Sequence, residues 1–207
     1  TLSGVSMKHA LLIGCGNTRG SKIIKGCEIA GFTVTNIGSS VSDIDTVKSL
    51  KIDWDNFDLT ECHKLLKNIN QQIDFLFFNQ NASALSQKDF TNAKKTIDMW
   101  TLMKNWTRSY WLSCQLPYFI IQTLGEKVPN DAKIGWMLSS YIDKDKVGVS
   151  DHADYSGYKF TNYLVMKNFN KKYECFGINP DFESTDQIQN LITDICNGKI
   201  KCDGNIF

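Results

Sequence analysis

Ala10-Leu11-Leu12-Ile13-Gly14-Cys15-Gly16-Asn17-Thr18-Arg19-Gly20-Ser21-Lys22 is the stretch on which the fold turns. Four unbroken apolar residues read as a buried strand, and the glycines at 14, 16 and 20 break it. Ile23, Ile24, Cys27 and Ile29 then recur at roughly helical spacing until Gly31 stops them. The pattern is strand, tight turn, helix. Phe32 to Ile37 alternates like a second strand and ends in Gly38-Ser39-Ser40, so the opening is a βαβ unit with its two strands parallel.

Working outward, Asp58 to Gln72 is predicted to be a helix capped by Asp58, with Glu61 three residues later, and Ile73 to Phe78 a buried strand. An aromatic-rich helical zone spans Thr96 to Leu124 with Pro117 inside it, and Ile134 to Leu138 is the next apolar run. Tyr155 to Lys171 returns to helix, Cys175 to Ile178 to strand, Asp186 to Cys196 to helix, and the last residues to a short strand. Such alternation predicts an α/β fold: a Rossmann-type doubly wound, mostly parallel sheet of six to seven strands with helices on both faces.

The 207 residues contain no linker-like stretch and read as one domain, 1–207, in which 1–6, ahead of Met7, are an appended remnant. Lys and Arg total 23 against 22 Asp and Glu, a net charge of +1 that provides no field for nucleic acid or an anionic membrane. No apolar run approaches the ~18 residues of a membrane span. A small molecule is the expected partner. The cysteines at 15, 27, 62, 114, 175, 196 and 202 include no C-x-x-C pair and are odd in number. They argue against a disulfide framework and against a metal site, and they fit a reducing, cytoplasmic setting.

Gly14, Gly16 and Gly20 lie where a backbone free of β-carbons lets a pyrophosphate approach and a helix start offers it unpaired amides. Gly14, Gly16, Asn17, Thr18, Arg19 and Gly20 are therefore candidate cofactor contacts, although the same glycines suit a plain tight turn. An acidic residue ending the second strand would bond the adenosine ribose and repel a 2′-phosphate. Ser39 stands there instead and leaves room, while Arg19 and Lys22 offer positive charge, so NADP(H) is favoured over NAD(H). The alternative is two basic residues on a solvated turn.

Tyr155 and Lys159 are four residues apart on a predicted helix and share one face. A tyrosine of pKa ~10 is a poor proton donor or acceptor at neutral pH, and a neighbouring ammonium favours its phenolate. Out of context, such a pair is a solvated helix face. Its context is Ser139 and Ser140, at the end of the run Ile134 to Leu138, where open parallel sheets bind their ligands. A hydroxyl there donates to a carbonyl oxygen that gains negative charge.

In chain order, Gly16-Asn17-Thr18-Arg19-Gly20 is similar to a glycine turn, Asn81-Ala82-Ser83 to an Asn-Ala-Gly stretch, and Leu138-Ser139-Ser140 to a serine strand end. Tyr155 to Lys159 matches Tyr-x-x-x-Lys, and Pro180 with Thr185 matches Pro-Gly-x-x-x-Thr. Over nearly its whole length the chain thus resembles the short-chain dehydrogenase/reductase family.

The resemblance implies an NAD(P)(H)-dependent oxidoreductase interconverting a carbonyl and a secondary alcohol. In it Tyr155 would be the acid/base, Lys159 would lower its pKa and hold the nicotinamide ribose, and Ser140 would orient the carbonyl. Asn105 would support a water-linked proton relay; Lys104 competes for that place, because the interval to Pro117 differs by about one residue from the pattern. Thr185 would bind the carboxamide, Asp53 would lie near the adenine, and Asn81, Ala82 and Pro180 would be further cofactor contacts. A homodimer or homotetramer built on the two long helices is implied as well.

The departures from the family pattern are Lys22 in the place of a third glycine, Ser83 and Asp181 for glycines, and a short tail after Thr185. The tail implies an open pocket, a bulky substrate or a partner subunit completing the wall, and Trp136, Tyr141, His152 and Tyr158 are candidate lining. Lost glycines and a short tail also suit a non-catalytic nucleotide-binding or scaffold protein on the same fold. A nucleotide-sugar epimerase or dehydratase would need a larger C-terminal region than this sequence holds.

Overall fold

The structure, a computed structural model, describes residues 7–39, 44–53, 59–80, 107–139, 142, 153–179 and 185–207, with only the backbone of 153–156 and 185. The first strand, β1 (His9–Ile13), is buried along its whole length and leads through the glycine turn into α1 (Thr18–Ile29). Asn17 caps that helix: its Oδ1 accepts from the Gly20 amide at 2.7 Å, which satisfies a donor with no partner inside the helix. Next come β2 (Thr33–Gly38), β3 (Lys48–Lys51), α2 (Leu59–Lys67) and β4 (Phe75–Phe78). Residues 107–110 are helical and run into a π turn, Trp111–Gln115, which continues as α3 (Leu116–Leu124). The chain ends with β5 (Lys133–Met137), α4 (Ala153–Phe169), β6 (Glu174–Ile178), α5 (Thr185–Cys196) and β7 (Asn205–Ile206).

All seven strands lie parallel in one sheet of order β3-β2-β1-β4-β5-β6-β7. Period-two alternation sends Leu11, Ile13, Leu76, Phe78, Ile134 and Trp136 to one face, where they meet Leu66 of α2, Leu116 and Ile120 of α3, and Met166 and Phe169 of α4. Ala10, Leu12, Phe75, Phe77 and Phe176 go to the other face and pack on Ile23, Ile24 and Cys27 of α1 and on Ile188, Ile192 and Ile195 of α5. Helices cover both faces, as doubly wound architecture requires.

The predicted α/β class holds. Two local expectations do not. A strand at Lys48–Lys51 was not expected; it is the sheet edge, pairing only with β2, from Thr35↔Lys48 to Gly38↔Lys51. The helix expected to reach Gln72 stops at Lys67, and Ile69 and Ile73 are buried instead beyond its end. Its expected cap, Asp58, lies outside the described residues.

On α1, a β-carbon at Gly26 would sit 2.8 Å from the Gln189 carbonyl oxygen and 2.8 Å from Ile192 Cβ, so α1 and α5 approach as closely as they do only because nothing is there. Gly26→Ala is expected to lower stability by about 1–3 kcal/mol, visible as a reduced urea midpoint. All seven cysteines are free thiols, and only Cys114 is not fully buried. No helix among the described residues is long and apolar enough to cross a membrane.

Candidate active site

β1 and β4 are neighbours, yet the chain leaves β1 toward β2 on one side and leaves β4 toward β5 on the other. The crevice at the C-terminal ends of these strands is where open parallel sheets bind ligands. The glycine turn lies across it, held from both sides. The Gly14 amide donates to the Ile37 carbonyl at 2.7 Å, and Asn79 Nδ2 donates to the Gly14 carbonyl at 2.9 Å. The Cys15 amide donates to Asn36 Oδ1 at 3.0 Å. Gly14 has φ +78°, and a β-carbon on it would come within 2.8 Å of the Gln80 backbone, so only glycine fits.

Gly20 is held tighter still: a β-carbon there would lie 2.3 Å from the Cys15 carbonyl oxygen. Helix α1 therefore starts almost on top of the turn. Among the described residues no acceptor meets the amides of Thr18 and Arg19, which sit at the positive end of the helix. Asn17, Thr18 and Arg19 are exposed and Gly16 is half-buried. This cradle fits the pyrophosphate of a dinucleotide.

Lys22 points away from the turn toward α5. Gly20 makes the close approach of helix to turn, and Lys22 reaches across to α5, where its Nζ meets Asp186 Oδ1 at 2.5 Å. The Lys22 hydrogen bond and charge hold the Asp186 carboxyl below its ordinary pKa. That ion pair is exposed, with the Asp186 side chain 72% accessible. Lys22→Ala is expected to leave NADPH affinity within about twofold of wild type in a fluorescence titration, since an exposed ion pair contributes little.

Tyr155 and Lys159 both lie on α4, one turn apart. Lys159 is 2% exposed, and its Nζ donates to the Met137 carbonyl at 2.9 Å, at the C-terminal end of β5 and two residues before the buried Ser139. The ammonium also lies 5.2 Å from the Tyr158 ring centroid. Burial, aided by the positive charge of Arg19, brings the Lys159 pKa down from 10.5 to about 7. Ser39 is exposed at the end of β2, and Asp53 is exposed just past β3.

Asn81, Ala82, Lys104, Asn105, Ser140, Tyr141, His152 and Pro180 lie outside the described residues, as do the side chains of Tyr155 and Thr185. The Thr185 backbone opens α5. Trp136 and Tyr158 are not lining for an open pocket. Trp136 is fully buried, stacked on Phe78 at 5.2 Å, because its position in β5 faces the α2–α3–α4 layer. Tyr158 is 4% exposed and donates its hydroxyl to the Gln80 carbonyl at 2.8 Å.

Asn36, Asn79 and Gln80 hold the site together and were not singled out from sequence. The available signal was a polar residue inside or directly after an apolar strand, in Thr-Val-Thr-Asn-Ile and in Phe-Phe-Asn-Gln, where a buried amide must find partners.

Among known proteins, no family model and no curated protein matches this sequence. Solved structures do. A carbonyl reductase from Pseudomonas aeruginosa PAO1 in complex with NADP superposes with a TM-score of 0.71 at 12% identity, over 97% of this chain and 94% of that one. A short-chain dehydrogenase/reductase from Burkholderia multivorans with bound NADP gives 0.69 at 18% identity, over 93% and 92%. A short-chain dehydrogenase/reductase from Brucella melitensis gives 0.70 at 13%, over 96% and 93%. The chain has the fold of the short-chain dehydrogenase/reductases and spans nearly the full length of these proteins.

Proposed function

We propose that this protein is an oxidoreductase that interconverts a carbonyl and a secondary alcohol with a nicotinamide dinucleotide, NADP(H) in preference to NAD(H). The observation that carries the reading is Lys159: an ammonium buried at the C-terminal end of a central parallel strand, one turn from a tyrosine, with its pKa brought down by burial. A buried cation with its pKa brought down toward neutrality, at the strand ends where open sheets bind ligands, is what proton chemistry at a neighbouring tyrosine requires.

The residues fit the cofactor. Among the described residues the amides of Thr18 and Arg19 face no competing acceptor, Gly14 and Gly20 keep the turn free of side chains, and Ser39 leaves space where a carboxylate would repel a 2′-phosphate. Arg19, exposed beside that turn, is the cation for such a phosphate. When bound, the nicotinamide supplies or accepts the hydride. Tyr155 gives the proton to the carbonyl oxygen during reduction and takes it back during oxidation. Lys159 stabilises the phenolate left behind and donates to the ribose hydroxyls. Ser140 donates to the carbonyl oxygen, and Asn105 leads replacement protons in from solvent. Thr185 holds the carboxamide, and Asn81, Ala82, Pro180 and Asp53 complete the cofactor contacts.

The scaffold alternative drew on Lys22 and a short tail. Gly20 has the role denied to position 22, and carbonyl reductases of matching span weaken the case from the tail. A homodimer or homotetramer is part of the proposal, in line with exposed Tyr110, Tyr118 and Leu164 on the paired long helices.

The test is fluorescence titration with NADPH and NADH, followed by NADPH oxidation with a panel of ketones and aldehydes. Tighter binding of NADPH and turnover of at least one carbonyl are expected. Binding without turnover of any carbonyl would return the protein to the scaffold class.

A further inference from the structure

Pro117 stands inside the helix that is described from residue 107 and ends at Leu124. A proline offers no N–H, so a carbonyl upstream of it must look elsewhere. In an α-helix the Leu112 carbonyl would accept from the Leu116 amide, but that amide donates to Trp111, the i→i+5 bond of the π turn. The i+5 donor for Leu112 would be residue 117, the proline. Leu112 is 1% exposed, so water does not supply the missing donor.

Gln80 supplies it, its Nε2 donating to the Leu112 carbonyl at 3.1 Å. The same residue accepts the Tyr158 hydroxyl on its own carbonyl at 2.8 Å, and Gly14 packs against its backbone. Tyr158 directly precedes Lys159. Gln80 thus joins the glycine turn, the π turn and α4. Its Oε1 is buried with no partner among the described residues, and among these residues its Nε2 is directed to Leu112.

We propose that Gln80 is a positioning residue, which fixes the π turn with its side chain and α4 with its main chain and so sets Lys159 at the C-terminal end of β5. The proposal rests on the oxidoreductase reading of the site.

Gln80→Met removes the donor and keeps the length. It is expected to lower kcat by about tenfold or more, because small misplacements of reacting groups are costly, while NADPH Kd stays within about twofold. Adding Pro117→Ala gives residue 117 an N–H for the Leu112 carbonyl, and the double variant is expected to regain most of the lost kcat. Should Gln80→Met not fold, Gln80→Glu serves. Its carboxyl donates only while protonated, so kcat must fall with rising pH relative to wild type. Wild-type kcat in Gln80→Met, or no recovery in the double variant, would overturn the proposal. If wild type itself turns over no carbonyl, the functional reading fails separately. Gln80 is then judged by hydrogen exchange across 111–116, where faster exchange in Gln80→Met, reversed by Pro117→Ala, supports the clamp and unchanged exchange refutes it.

Discussion

Tyr155→Phe is expected to lower kcat for carbonyl reduction by about 10³-fold, a barrier increase of roughly 4 kcal/mol, with NADPH Kd unchanged within about twofold. The substitution removes one oxygen and keeps the ring, so side-chain volume at position 155 of α4 is conserved. What disappears is the only group at this position that can pass a proton to the carbonyl oxygen. Because the loss belongs to the chemical step, single-turnover kinetics after preloading with NADPH must show the same drop as steady-state kcat. Turnover equal to wild type would remove Tyr155 from the mechanism whatever the fold.

Lys159→Met is expected to separate activity from stability. On activity, kcat falls by about 10²-fold or more, since the phenolate loses its neighbouring charge. On stability the sign is opposite. The folded pKa of Lys159 is brought from 10.5 to about 7 by burial and Arg19, so between those values the unfolded chain holds a proton that the folded chain has released. Stability therefore rises with pH across this window, and at or below about pH 7 the full burden of the buried ammonium is present. Methionine carries no such burden. Part of the gain is offset because the Met137 carbonyl loses its donor. The variant is expected to melt about 4 °C higher at pH 6.5, on the order of 1 kcal/mol, with the advantage shrinking toward pH 10. A melting temperature below wild type at pH 6.5 would show that Lys159 is an ordinary structural lysine.

The sheet was legible from sequence wherever strands are buried on both faces, because runs such as Ala10 to Ile13 and Phe75 to Phe78 have no polar residue to confuse them. β3 was not. Lys-Ser-Leu-Lys has one apolar residue, and its identity as a strand comes from pairing with β2; lysines on an edge discourage further pairing. The end of α2 was missed for a related reason: Ile69 and Ile73 continue an apolar rhythm that tertiary burial, not a helix, satisfies.

At the candidate site, the spacing of Tyr155 and Lys159 puts them one turn apart, and it was the glycine turn and the serines ending an apolar run that set them off from an ordinary helix face. The glycine turn was legible, but which glycine makes the close contact was not: the helix begins at Thr18 and its first turn holds that contact at Gly20. The Gln80 clamp was not visible at all. It follows from a proline in one element and an amide 37 positions earlier (117 − 80), which come together only once β4 and β5 pair and α3 packs over them.

The buried thiols have a consequence for how the molecule opens. Burial pushes Cys62 and Cys202 up to about 12 and Cys15, Cys27 and Cys175 also above the ordinary range, so none is a ready nucleophile in the folded chain. Alkylation of these residues must wait for a fluctuation that exposes them. Cys62 and Cys175 sit in one layer, and Cys15, Cys27, Cys196 and Cys202 in the other. The sheet thus carries a clock on each side, and the order in which its thiols are consumed tells whether the two helical layers lift off together or one before the other.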